Sequence, residues 1–163
     1  MMKKFLLAIG VVALSTMSAA SFAQTCASPL PISSAGGPHD VVSADTCTAT
    51  NDLPTYGGTS SAQAEVIYSF VAQSANATIA IAQNGGFASS SAAIFLLPAC
   101  TASTDPTAFG FVGTPMAVTG LTNGQTYYVV ATADPGSAAA SCGNFTATVT
   151  GTLPVTLKQY SID

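Results

Sequence analysis

The residues with the most distinctive chemistry in this chain are four cysteines. Their number is even and none has Cys-x-x-Cys spacing, which favours two disulfides over a redox motif or a zinc site. Three pairings are possible from the sequence. We favour the one that joins neighbouring segments, Cys26 with Cys47 and Cys100 with Cys142. The first bridge would close an N-terminal loop, and the second would tie a strand end to the turn before a later strand.

The single histidine gives little support for catalysis. His39 lies in the Gly-Gly-Pro-His-Asp stretch that ends at Asp40, and a histidine beside an aspartate in such a turn is more often exposed than catalytic. A hydrolase needs a nucleophile with a base and an orienting acid, and the chain has no Gly-x-Ser-x-Gly elbow. Its isolated aspartates are typical of turn capping rather than of glycoside cleavage. We therefore predict that the protein is not an enzyme.

Three aspartates, Asp40, Asp45 and Asp52, are the candidates for a calcium site. They are scattered, and no run of alternating carboxylates of the EF-hand type is present. We expect no cofactor, and calcium at these three residues is the alternative.

The first 23 residues have the three-part pattern of a secretory signal peptide. Lys3 and Lys4 precede the apolar run Phe5 to Leu14, and small residues end at Ala23, where cleavage is expected. The apolar run is too short to cross a bilayer, which takes roughly 20 residues. No second run of this kind follows, and no cysteine stands at the cleavage site to accept a lipid. We expect a bacterial-type protein that is secreted or at the cell surface, with the periplasm as an alternative, and no membrane span.

Cleavage would leave one cation, Lys158, against seven carboxylates, a net charge of −6. Without a basic patch the chain cannot neutralise phosphates, which excludes nucleic acid and anionic lipid surfaces as partners. Few charges of either sign give a neutral surface. Such a surface fits an ordinary loop-rich secreted domain, and it also fits a protein that associates with itself.

Alternating apolar and polar residues predict one all-β domain over residues 24–151, with turn residues every eight to twelve positions as in a sandwich or barrel. The Asn123-Gly124 pair between two of these runs is a strong hairpin signal. The predicted strands cover residues 64–71, 77–83, 92–97, 116–121, 126–133 and 144–150.

The order of these features resembles the bacterial pre-peptidase C-terminal domain family. The resemblance is carried by Tyr68-Ser69-Phe70, a strand that ends before Cys100, the Leu-x-x-Gly-x-Thr-Tyr-Tyr stretch from Leu121 to Tyr128, and Gly143-Asn144-Phe145-Thr146. It implies an antiparallel jelly-roll-like β-sandwich and a non-catalytic accessory or adhesive module. Family members usually accompany a protease or another large exported protein, whereas no such partner domain is present in this sequence.

Two roles follow for a protein of this kind. The first is an adhesive or matrix-binding module whose partner is an extracellular polymer or protein surface. The second is a self-assembling filament or matrix subunit whose partner is another copy of itself. The second role would use residues 152–163 as an added strand. In this C-terminal segment three apolar residues share one face and two more have the opposite parity, which a bulge near Lys158 would reconcile; they are Leu153, Val155, Leu157, Tyr160 and Ile162.

Overall fold

The structure is a computed structural model that describes residues 24–32, 42–84, 92–133 and 142–151. The predicted signal peptide and the C-terminal segment lie outside the described residues. A one-turn 3-10 helix covers Thr46–Thr48, and the strands are β1 Leu30–Pro31, β2 Val42–Asp45, β3 Thr55–Tyr56, β4 Thr59–Ser60, β5 Glu65–Val71, β6 Asn76–Gln83, β7 Ala92–Leu97, β8 Ala108–Phe111, β9 Met116–Thr119, β10 Thr126–Ala133 and β11 Asn144–Thr150.

Two sheets pack face to face. The first has the strand order β1-β5-β10-β7-β8, the second has the order β2-β11-β6-β9, and β3 and β4 form a separate hairpin. All pairs are antiparallel except β1 with β5. From β5 to β11 the chain changes sheet at every connection except the β7–β8 hairpin, which is the connectivity of a jelly roll. The predicted all-β sandwich with two disulfides is therefore confirmed.

The core between the sheets is built from the residues that alternation places on one face of each strand. In β5 these are Val66, Tyr68 and Phe70, and in β11 they include Phe145 and Ala147. Each of these side chains is buried. Strand β7 is buried along its whole length, as its unbroken apolar run predicts. The period-two pattern thus identified six of these strands and their inward faces, and it missed β1, β2, β3, β4 and β8.

The hairpin predicted at Asn123-Gly124 is wrong. Gly124 has a φ of 82°, as a tight turn requires, but β9 pairs with β6 while β10 pairs with β5 and β7. The turn therefore carries the chain from one sheet to the other. Its backbone bonds to the neighbouring loop instead: the amide of Gly124 donates to the carbonyl of Ala72 at 2.7 Å.

The favoured disulfide pairing is also wrong. The bridges join Cys26 to Cys100 and Cys47 to Cys142, with sequence separations of 74 and 95 residues. The reason is topological, because strands that are distant in sequence are neighbours in a jelly roll. Cys47 lies next to the start of β11, where the amide of Thr46 donates to the carbonyl of Gly143 at 3.0 Å.

A third layer covers the outer face of the first sheet. Residues 46–64 and 98–107 fold over it, and a second apolar cluster lies beneath them. The β3–β4 hairpin turns at Gly57 and Gly58, both with positive φ, as a two-residue turn of type I′ requires. The Cys26–Cys100 bridge links the N-terminal segment to this layer. The second cluster contains Leu53, Tyr56, Ile67, Ala93, Phe95, Leu97 and Val130.

These bridges generate a stability prediction. Each closes a long loop, so the chain-entropy account gives each about 4 kcal/mol of stabilisation. We expect the paired Ser substitution of Cys26 and Cys100, or of Cys47 and Cys142, to lower the free energy of unfolding by about 2–5 kcal/mol in chemical denaturation. Non-reducing peptide mapping should recover the two cross-links that the structure shows, and a Cys26–Cys47 peptide would contradict it.

Candidate functional site

The most exposed large apolar side chains among the described residues lie on one edge strand. Phe109 and Phe111 in β8 are each 51% exposed. They are two residues apart, so both project from the outer face of the first sheet. Between them, Gly110 faces inward, where an added Cβ would lie 3.3 Å from the Sδ of Met116. The strand therefore has only small residues, Ala108 and Gly110, on its inner side and aromatic rings on its outer side.

The two exposed rings continue a row of aromatic contacts that begins under the third layer. Tyr56 stacks on Phe95 with ring centroids 4.4 Å apart and an interplanar angle of 8°. Phe95 lies opposite Phe109 in the β7–β8 ladder, with centroids 5.2 Å apart. Phe109 meets Phe111 edge to face at 76°. We call Phe109 and Phe111 the aromatic edge; it is where this buried row reaches the surface.

The free backbone of β8 lies at the same place. The amide of Val112 donates to the carbonyl of Ala92. Gly110 lies two residues earlier in the same ladder, so its N–H and C=O also point toward β7. Because these groups alternate in direction along an antiparallel strand, the N–H and C=O of Phe109 and the N–H of Phe111 point to the open side. The carbonyl of Phe111 accepts from the amide of Thr114 at 3.3 Å.

The described surface around this edge has one sign of charge. The exposed or partly exposed carboxylates of the described residues are Asp45, Asp52 and Asp105, of which Asp105 lies next to β8, and no lysine, arginine or histidine lies in the described ranges. Asp105 is exposed on the loop that leads into β8. The described residues therefore offer no positive charge that could bind an anionic ligand.

A buried carboxylate fastens the third layer to the sheet. Glu65, at the start of β5, is 1% exposed. Its Oε1 accepts from the backbone amides of Asp52 at 2.5 Å and Leu53 at 2.6 Å. Its Oε2 and the hydroxyl of Tyr56 are buried, and neither makes a hydrogen bond of ordinary geometry with a described residue, although the two groups are close enough to affect each other's ionisation. The carboxylate therefore caps two amides of the covering segment from beneath it.

Burial governs the ionisation of this group. Desolvation raises the pKa of Glu65 to about 7, against the lowering effect of the two amide hydrogen bonds and Tyr56. Desolvation and the neighbouring Glu65 carboxylate also raise the pKa of Tyr56. A carboxyl group that is closed to solvent in this way cannot contact a substrate, so Glu65 is a structural group in this conformation.

A shallow cleft of about 300 Å³ lies beside the second disulfide. Its walls are mostly small side chains, and the cleft presents no cluster of groups that could act as nucleophile and base. It is lined by Thr46, Cys47, Ala49, Ala62, Gln63, Ala64 and Cys142.

The calcium candidates have separate structural roles where they are described. A carboxylate oxygen of Asp45 accepts from the amide of Cys47 at 2.8 Å, which caps the 3-10 helix. The carboxylate of Asp52 accepts from the Thr50 hydroxyl at 3.0 Å and from the amide of Cys26 at 3.2 Å. Asp40 lies outside the described residues. Within them, no three His, Cys, Asp or Glu side chains are grouped as metal ligands would be.

The other predicted site residues lie beyond the part that the structure describes. These are His39 and the five apolar residues proposed for assembly, Leu153, Val155, Leu157, Tyr160 and Ile162. Among described residues, no helix has the length and apolar character needed to cross a membrane.

Sequence reasoning missed the aromatic edge. The signal was present as Phe109-Gly110-Phe111, in which two large apolar residues share one face and the residue between them has no side chain. The run is only four residues long and lies between turn-rich segments, so its alternation is short. No family model, curated protein or solved structure matches the chain. The resemblance to the pre-peptidase C-terminal domain family therefore stays a prediction.

Glu65 generates a prediction about pH. Its pKa is raised from the ordinary 4.5 to about 7 in the folded protein, so its contribution is most favourable below pH 4.5 and is lost as the pH rises through 7. We expect this loss to be about 3 kcal/mol. Glu65→Gln keeps an oxygen acceptor for the two amides and carries no charge at any pH. The free energy of unfolding of this variant should therefore not show the fall with rising pH that the wild type shows.

The measurement is urea denaturation of both proteins from pH 4 to pH 8. Glu65→Ala is the control, because it uncaps the two amides and should be destabilised at every pH. Parallel pH profiles for the wild type and Glu65→Gln would contradict the assignment.

Proposed function

We propose that this protein is an exported, non-catalytic adhesive module that binds an extended polypeptide segment on an extracellular surface through the aromatic edge. The observation that carries the proposal is the half exposure of Phe109 and Phe111 on an edge strand whose outward N–H and C=O groups at Phe109 pair with no other described strand. Export is supported by the signal-like residues 1–23 and by the two disulfides.

The geometry favours a polypeptide as the partner. A strand laid along β8 would pair with the backbone of Phe109 and cover both rings with its alternate side chains, and this supplies affinity and specificity together. A sugar polymer would need a shared flat aromatic surface. The two rings meet at 76° and offer none.

The absence of positive charge near the edge restricts the partner further. The described surface bears carboxylates without a neutralising cation, so an acidic segment would be repelled. The expected partner is therefore an uncharged or basic segment with alternating apolar residues. The buried state of Glu65 and the family resemblance both support a role in binding rather than in catalysis.

The test uses two immobilised probes. One is a synthetic peptide of alternating threonine and valine with terminal lysines, and the other is a pair of insoluble polysaccharides, cellulose and chitin. We expect the mature protein to bind the peptide and Phe109→Ser/Phe111→Ser to bind it at least about tenfold more weakly. Val71→Ser is the matched control, because Val71 is also exposed, at 42%, yet lies on β5 outside the aromatic edge.

Equal binding by the double variant and the wild type would contradict the proposed site. Binding to the polysaccharides alone would overturn the polypeptide assignment, and binding to neither probe would overturn the adhesive role. Circular dichroism should show that both variants keep the β-sheet spectrum, since the substituted side chains are on the surface.

A further inference from the structure

We infer that the segment that adds to β8 is residues 153–163 of a second copy of this chain. The inference rests on the proposed function, and it identifies the partner of the same edge. It also joins the two roles that the sequence suggests, because an adhesive edge that accepts the protein's own C-terminal segment makes the protein a self-assembling subunit.

Strand β8 has few of the features that protect an edge, although it is only four residues long and Pro106 precedes it by two residues. Natural edge strands carry charged side chains, proline or a bulge to prevent pairing with other chains. The first sheet's other edge is protected, since β1 ends in Pro31 and is two residues long. Ala108–Phe111 contains neither charge nor proline. Its open side therefore remains competent to pair.

The C-terminal segment has the composition that this edge requires. Leu153, Val155 and Leu157 alternate with Pro154 and Thr156, so one face of an extended segment would be apolar. That face can cover Phe109 and Phe111. Pro154 has no amide N–H, so an added strand must turn the backbone of Pro154 away from β8 and the amide of Val155 toward it. Eleven residues of extended chain span about 35 Å, more than the four residues of β8 need.

The charge of the C-terminal segment also favours it as the strand that adds to β8. Lys158 is the one cation that remains after signal-peptide cleavage, whereas the described surface bears carboxylates and no cation. Asp105 is exposed three residues before the start of β8. A strand added along β8 would place a segment that carries this cation near the Asp105 carboxylate, so the cation and its receptor have opposite charges.

The position at which the chain leaves β11 favours binding of the segment to a second copy over binding to its own β8. Gly151 leaves β11 beside Asn76, at the end of the sandwich where β8 begins. The segment of the same chain would reach β8 from this end and would therefore run parallel to it. A second copy can add antiparallel with the whole segment, and antiparallel pairs are the more stable.

The first experiment measures the mass of the mature protein by light scattering as its concentration rises. We expect the mass to increase for the wild type and to stay that of a monomer for Val155→Pro and for Phe109→Ser/Phe111→Ser. Proline removes the amide that the ladder needs. Val155→Thr keeps that amide and a β-branched side chain, so it is the matched control and should assemble. A wild type that stays monomeric at every concentration would overturn the inference.

The second experiment separates this inference from the proposed function. A fluorescent peptide of residues 152–163 is titrated into the Val155→Pro protein, whose own segment cannot compete for the edge. Binding that Phe109→Ser/Phe111→Ser removes is the expected result. If the threonine–valine peptide binds the aromatic edge and the 152–163 peptide does not, the proposed function stands and this inference fails. If the 152–163 peptide binds Val155→Pro but not a monomeric wild type, the segment occupies its own chain and the second copy is excluded.

Discussion

The fold depends on the fact that the first sheet is apolar on both faces. Strands β5, β7 and β10 place Tyr68 and Val129 in the core between the sheets, and Ile67, Phe95 and Val130 on the opposite face. A jelly roll covers only one of these faces. The other must be covered by something else, because several fully apolar side chains would otherwise meet water at a cost of about 1.5–3 kcal/mol each. The long connections around β3, β4 and β8, the N-terminal segment and the first disulfide supply that cover.

Glu65 shows how such a cover is attached. The covering segment passes over the sheet without strand pairing to it, so its amides need acceptors from below. One carboxylate oxygen satisfies two of them. The burial that makes this possible also raises the pKa of the group to about 7, so the folded state is most stable when the group is protonated, although the two amide hydrogen bonds by themselves favour the ionised form. A protonated Oε2 can donate to the adjacent Tyr56 hydroxyl, and both atoms otherwise lack partners.

Sequence patterns predicted the parts of the fold that depend on local periodicity. Strands β10 and β11 were predicted with their observed bounds, and β7 was predicted as buried on both faces. The patterns failed where the structure depends on contacts between segments that are distant in the sequence. The disulfides join residues 74 and 95 positions apart, and the Asn-Gly turn connects two sheets although its local chemistry suits a hairpin. The β3–β4 hairpin was missed despite its Gly57-Gly58 signal, since its strands have two residues each.

The candidate site was missed for a related reason. Phe109 and Phe111 would be buried if the third layer extended over β8, and nothing in their local sequence tells where that layer ends. The structure shows that Tyr56 reaches Phe95 but not the next strand. The row of rings therefore begins in a dry interior and ends on the surface. Phe109 packs against Phe95, which in turn stacks on Tyr56, so covering the aromatic edge would restrict little additional side-chain freedom.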